Sequence, residues 1–291
     1  MGVFRLNSLV LKNSAKGLPN NFGLNPNLLP LNTMLDAADI NNIKSFLDEK
    51  VDEFNRINFI DLDPISIPHR FSLKQDIEVA GFLAATIAWG NRKSILQNAN
   101  KLMDTMGESP FDFVMHASNH QLNKLQFVHR TFNSDDLRVF IKCIRNIYKN
   151  LGGMEKIFAS AATIDSMQPA IAEFKRLFFS IEHLARTEKH VSDPAKGSSA
   201  KRINMMLRWF VRKDNRGVDF GIWNNSIKPA QLSLPLDVHT GNIARKLGLL
   251  HRTQNDAKAV QEIDLILRSF DPIDPVKYDF ALFGLGAIEK F

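Results

Sequence analysis

The chain has 291 residues, more than one hydrophobic core usually organises, so one large or two closely packed domains are expected. Its 44% hydrophobic and 23% charged residues are ordinary for a globular protein, and no apolar run reaches the roughly 18 residues that cross a bilayer. A single cysteine, Cys143, excludes an internal disulfide and any site built on several thiolates, while a net charge of +6 and a pI near 9.4 suit a polyanionic partner. No membrane partner, a cytoplasmic location and a monomer are the expectations.

Residues 1–33 contain Arg5, Lys12 and Lys16, no acidic residue and no helical period, so they read as a loosely ordered N-terminal extension. The fold is expected to occupy residues 34–291, starting at Met34. Ile40, Ile43, Leu47, Val51 and Phe54 recur at helical spacing. Ser72 with Gln75 reads as a capping box for a helix that carries Ile77 to Trp89 into the core. Gly90 and Asn91 break it, and Arg92 to Met106 forms the next helix. Leu137, Phe140, Ile141, Ile144, Ile147 and Tyr148 mark a helix after Ser134, and Ile171, Phe174, Leu177, Phe178 and Ile181 mark another. Asp274 followed by Pro275 reads as the cap and first-turn proline of the last helix. Without a sustained period-two pattern or a repeat, the class is all-α, with two packed, interleaved helical subdomains and a cleft between them.

The positive charge is concentrated. Residues Ile181 to Val260 hold 14 lysines and arginines against 7 carboxylates, and the rest of the chain is close to neutral. Within this region the stretch DPAKGSSAKRIN, from Asp193 to Asn204, places Lys196, Gly197, Ser198 and Ser199 in a turn and Lys201 and Arg202 at a helix start. Free N–H groups and the helix dipole make such a junction apt for a phosphate. Further on, LPLDVHTGNIARKLGLL delivers Asp237 through a short proline loop to another helix start, followed by His239 and Arg245. A carboxylate that caps a helix is held rigidly and kept ionised. Lysine and carboxylate together are a nucleophile and an electrostatic partner. If both act on one reacting centre they should lie within about 8 Å. The plain alternatives are a solvated lysine and a structural N-cap.

A third segment, AATIAWGNRKSI from Ala84 to Ile95, offers Trp89, Asn91 and Arg92 as groups that could wedge into or stack on a base, and Trp223 is a further aromatic candidate. Their plain alternatives are core filler for Trp89 and surface charge for Arg92. His69, His116 and His129 show no ligand spacing.

Through these segments the sequence resembles the helix-hairpin-helix DNA glycosylase superfamily, and more closely the DUF2400 proteins, over about Met34 to Phe291; those are similar in turn to archaeal 8-oxoguanine DNA glycosylases. The superfamily hairpin has the form L-P-G-x-G-x-K. Here Lys201 follows Gly197 by four, Ser199 replaces the second glycine, and Pro194 is displaced. The stretch around Asp237 resembles the family's P-x-D-x-H/T-x-x-R segment. The resemblance implies a helix-hairpin-helix motif and a base-excision DNA glycosylase/lyase acting on a damaged base, an oxidised purine among the candidates, in double-stranded DNA. It implies Lys201 as Schiff-base nucleophile, with Lys196 the alternative, and Asp237 as the catalytic carboxylate. Lys196, Gly197, Ser198, Ser199, Arg202, His239 and Arg245 would contact DNA, and Trp89, Asn91, Arg92 and Trp223 would surround the base. It implies no cofactor and no metal, and the one cysteine excludes the four-cysteine iron–sulfur cluster of some members. The competing readings are a non-catalytic DNA- or RNA-binding module on the same fold, and a helical scaffold for protein partners.

Overall fold

The structure, a computed structural model, describes residues 37–291. The extension read over residues 1–33, and the start at Met34, lie outside the described residues. Helix α1 (Ala37–Phe54) turns Leu47 and Val51 inward, as its periodicity requires. Three short 3-10 turns between Ile57 and Arg70 lead to α2 (Lys74–Thr86), which is buried from Asp76 to its end.

Both ends of α2 differ from the sequence reading. Leu73 sits at the N-cap with no side-chain cap, so the Ser72–Gln75 box does not form; Asp76, in the first turn, instead accepts from Phe111 N at 2.9 Å. The helix stops at Thr86, whose carbonyl, the acceptor Gly90 N would use in a further turn, is taken by an outside side chain, and Gly90 itself has a φ of 105°. Arg202 donates to Thr86 O, and His129 Nε2 lies 3.1 Å from Trp89 O.

Asn91 then caps α3 (Arg92–Thr105) by accepting from Ser94 N. Helices α4 (Pro110–His116) and α5 (Asn119–Lys124) precede a small antiparallel hairpin, β1 (Val128–His129) and β2 (Phe132–Asn133). Two-residue strands are too short to display a period-two pattern, which is why the sequence gives no sign of them. A reciprocal Asn133–Asp136 capping box starts α6 (Ser134–Asn150); α7 (Met154–Ala161) and α8 (Gln168–Phe178) follow. After 3-10 turns at Ala185–His190 and Pro194–Lys196 come α9 (Lys201–Val211), α10 (Val238–Lys246), α11 (Ala257–Phe270) and α12 (Tyr278–Phe283). A single π-helical turn, Gly284–Glu289, follows α12. Pro275 opens a 3-10 turn rather than the helix itself, and the Asp274 carboxylate is drawn to Arg212 Nε at 2.8 Å instead of capping.

Apart from that hairpin and one isolated bridge, the regular secondary structure of the described residues is helical, and their apolar side chains form two clusters. The larger takes α2, α3, α6, α8 and the inner face of α9, with Trp209 and Phe210 wholly buried. The smaller takes Leu47 and Val51 of α1 with Leu236, Ile243, Ile263, Leu267 and Leu282. Burying side chains of this size contributes roughly 1.5–3 kcal/mol each. Lys201 therefore belongs to an element anchored in the larger cluster and Asp237 to one anchored in the smaller.

Among the described residues no helix is long and apolar enough to cross a membrane.

Candidate active site

The turn before α9 is built from local chemistry. Asp193 accepts from Ala195 N at 3.0 Å, Pro194 opens a 3-10 turn, and Gly197 takes a left-handed φ of 88°. A Cβ at Gly197 would meet nothing within 4 Å, so glycine is needed there for its backbone angle, and the turn faces open space. Ser198 Oγ accepts from Ala200 N at 3.1 Å, Ala200 is itself left-handed, and no side chain caps α9. The element upstream of this turn is 3-10, not α-helical. Lys196 and Gly197 are exposed; Lys196 N donates to Asp193 O at 3.1 Å, while its side chain has no hydrogen bond or ion pair among the described residues.

Asp237 caps α10 with one oxygen and turns the other toward Lys201. Oδ1 accepts from His239 N at 2.8 Å and Thr240 N at 3.0 Å, while Thr240 Oγ1 accepts from Asp237 N at 2.9 Å. Oδ2 lies 3.5 Å from Lys201 Nζ. The side chains are 22% and 26% exposed, so solvent, or a substrate, can reach both. The separation exceeds the 2.7–2.9 Å typical of charge-assisted hydrogen bonds, which leaves the ammonium paired but not locked.

Several side chains fix this approach. Arg268 of α11 donates to Ala230 O and Leu232 O at 3.2 and 2.9 Å, and Asp264 accepts from Leu234 N at 2.9 Å, so α11 grips the loop that ends at Asp237. Burial pushes the Asp264 carboxyl up to about 6. Asn255 Nδ2 donates to Asp237 O at 2.9 Å while its Oδ1 accepts from Arg245 Nη2 at 2.6 Å. Gly241 permits this, because a Cβ there would stand 2.6 Å from Asn255 Oδ1. Two residues on, Ala257 N donates to Gly197 O at 3.0 Å, and Ser198 and Asp256 form an isolated bridge. Residues 255–257 thus join the turn before Lys201 to the cap at Asp237. Asn255 escaped the sequence reading; its one trace there is a glycine four positions after Asp237.

Behind the pair lie buried charges. Arg208, two turns along α9 from Lys201, meets Asp279 at 2.5 Å and Asp219 at 3.3 Å. Asp279 interacts electrostatically with both Asp237 and Lys201, and Asp63 with Lys201 and Arg92. Burial pushes Asp279 up to about 6 against the pull of Arg208, with Asp237 adding to the rise. Lys201 is therefore the solvent end of a buried ionic network.

The remaining candidates divide. His239 is exposed at the first turn of α10, and Ser199 Oγ reaches Leu236 O at 3.5 Å. Arg202 is turned inward: it donates to Thr86 O and to His190 O (3.1 Å), lies 4.8 Å over Trp89, and is pushed down to about 10 by burial. Arg245 is similarly committed, to Asn255 and to Arg252 O at 2.8 Å. Neither guanidinium is presented to a phosphate in this arrangement. Trp89 is partly buried beside His129, His190 and Arg202; Asn91 is the cap of α3; and Arg92 lies 5.0 Å over the Phe283 ring. Trp223 is 0% exposed, its Nε1 donating to Glu78 at 2.6 Å and its ring packed on Phe158 and Phe210, so it offers no surface to a base. Apolar neighbours and a buried carboxylate partner make it a core residue. Among the described residues no three His, Cys, Asp or Glu side chains converge as a metal site.

A family model described as a protein of unknown function (DUF2400) matches residues 63–288, a span that contains every residue of this site. No curated protein and no solved structure matches the chain.

Proposed function

The chain belongs to the DUF2400 family, and from the chemistry of its own site we propose that it is a base-excision DNA glycosylase/lyase that acts on a damaged base in duplex DNA through Lys201. The observation that carries this reading is the 3.5 Å approach of Lys201 Nζ to Asp237 Oδ2, two partly exposed groups at the starts of helices anchored in different apolar clusters. A glycosidic bond inside a duplex is inaccessible, so the target nucleotide would be flipped out to meet this pair. Phosphates flanking it would lie against the open turn at Lys196 and Gly197.

Lys201, after giving one ammonium proton to solvent, attacks the sugar C1′ with its lone pair. The C1′–N bond breaks, and its electron pair leaves with the base, which takes up a proton. Asp237 stabilises the positive charge that develops on the sugar. The added nitrogen then loses a proton, the C1′–O4′ bond opens with O4′ protonated, and a cationic Schiff base remains. Removal of a C2′ proton expels the 3′ phosphate by elimination, and water hydrolyses the imine to restore the lysine. Borohydride reduces the Schiff base to a stable amine, so incubation with duplexes each carrying one lesion, or an abasic site, tests the reading. A covalent protein–DNA adduct on at least one duplex is expected. Binding without an adduct on any of them would instead favour a non-catalytic DNA-binding module.

A further inference from the structure

The arginines around the Lys201–Asp237 pair are committed inside the fold: Arg202 and Arg245 to backbone carbonyls, Arg208 and Arg212 to carboxylates. Arg130 is different. It stands in the two-residue turn between β1 and β2 with a φ of 54°, a left-handed conformation that glycine or asparagine normally occupies. It is exposed, and no hydrogen bond or ion pair ties its guanidinium to any described residue. Its side chain lies across Gly90, where a Cβ would come within 2.7 Å of Nη1 and 3.3 Å of Cδ. The hairpin beneath it is fixed: Phe132 is fully buried, His129 is held by Trp89 O and by Asn98 Nδ2 at 3.0 Å, and Arg186 donates to Thr131 O at 3.1 Å. An unpaired cation thus sits on a rigid mount, in the left-handed conformation that the first position of a two-residue hairpin turn requires.

The mount is joined to the site. Trp89 precedes Gly90, lies under the guanidinium of Arg202 and stacks on His190, and Arg202 is the neighbour of Lys201. Two more cations, exposed and without a partner among the described residues, belong to the segments that meet there: Lys93, three residues after Gly90 in the first turn of α3, and Lys189, next to the His190 that stacks on Trp89. Carboxylates of the same segments are engaged elsewhere: Asp135 pairs with Arg138, Asp136 is buried against Arg186 and Thr187, and Glu188 lies 3.2 Å from His183.

We infer that Arg130, with Lys93 and Lys189, forms a phosphate-binding track that carries a nucleic-acid backbone from the Lys201–Asp237 pair across the β-hairpin. The inference rests on the nucleic-acid reading of that pair. A guanidinium free on its planar edge suits bidentate contact with a phosphate.

Arg130→Gly separates this from a structural role, because glycine relieves the left-handed strain while removing the cation. Anisotropy of a short fluorescent duplex with a central abasic site, titrated across potassium chloride concentrations, gives affinity and its salt dependence. For Arg130→Gly, affinity should fall about threefold to tenfold and the slope of log K against log salt by about 0.9, with an unchanged or higher melting temperature. The Lys93→Gln/Arg130→Gly/Lys189→Gln variant should lose about three times that slope. Wild-type affinity and slope in Arg130→Gly would overturn the track, as would a wild type that does not bind duplex at low salt. If Arg130→Gly loses affinity as described in a protein that borohydride never traps, the track stands and the lyase reading fails.

Discussion

Asp237 carries two tasks on separate oxygens, and this makes its chemistry separable from its structural role. Asparagine caps helices about as well as aspartate, and a partly exposed ion pair contributes about 1 kcal/mol or less. Asp237→Asn should therefore melt within about 4 °C of the wild type in a thermal scan, yet lose two or more orders of magnitude in turnover, because an amide cannot stabilise a cationic sugar as a carboxylate does. A large drop in melting temperature with activity retained would make Asp237 a cap and nothing more. Asn255 is the converse case. Its removal leaves the Asp237 carbonyl and the Arg245 guanidinium without their shared partner, so Asn255→Ala should lower unfolding free energy in urea by about 1–3 kcal/mol. Lys201 and Asp237 were legible in the sequence because a turn and a proline loop each announce a helix start. Asn255 was not, since a side chain that bridges two segments through space leaves no local pattern.

Among the elements, α11 does for Asp237 what the turn at Gly197 does for Lys201. Asp264 and Arg268 hold the loop from Ala230 to Leu234, and Asp264 does so from a buried position that raises its carboxyl to about 6. The unfolded chain ionises this group near 3.9, so the folded state keeps its proton longer. The contribution to stability is full below about pH 4 and is lost as pH rises through about 6. Asp264→Asn keeps an acceptor for Leu234 N without a titrating group. Relative to this variant, the wild type should lose roughly 1–3 kcal/mol of stability between pH 4 and pH 7, measured by urea unfolding at both values. A pH-independent difference would contradict it. The same comparison of elements shows what patterning misses. The periodicity of α1, α6 and α8 sufficed to place them, since each lays an apolar stripe on the core, although Ile181 falls beyond the end of α8 at Phe178. The end of α2 and the start of α12 involve distant side chains, Arg202 and Arg212, that local sequence does not encode, and the strands of the β-hairpin are too short to show a period.

At the scale of the molecule, α12 gives Phe280 to the larger apolar cluster and Tyr278, Ala281 and Leu282 to the smaller, and the ionic network of Arg208, Arg212, Asp219 and Asp279 ties α9 to it, with Lys201 at its solvent end. The all-α class follows from composition and period alone; the juxtaposition of the two clusters required the packing of segments far apart in the chain. Cys143 reports on that packing. It is wholly buried in α6 and its thiol is pushed up to about 12 by burial, so it should resist a disulfide reagent until the protein unfolds. Reaction of the native protein within seconds would show that the larger cluster opens freely. The central claim, that this arrangement presents Lys201 as a nucleophile, is tested most directly by borohydride trapping of the wild type beside Lys201→Gln and Lys196→Gln on the same lesion-bearing duplexes. The account predicts a covalent adduct with the wild type and Lys196→Gln and none with Lys201→Gln, while all three bind the DNA. An adduct that persists in Lys201→Gln and disappears in Lys196→Gln would contradict it.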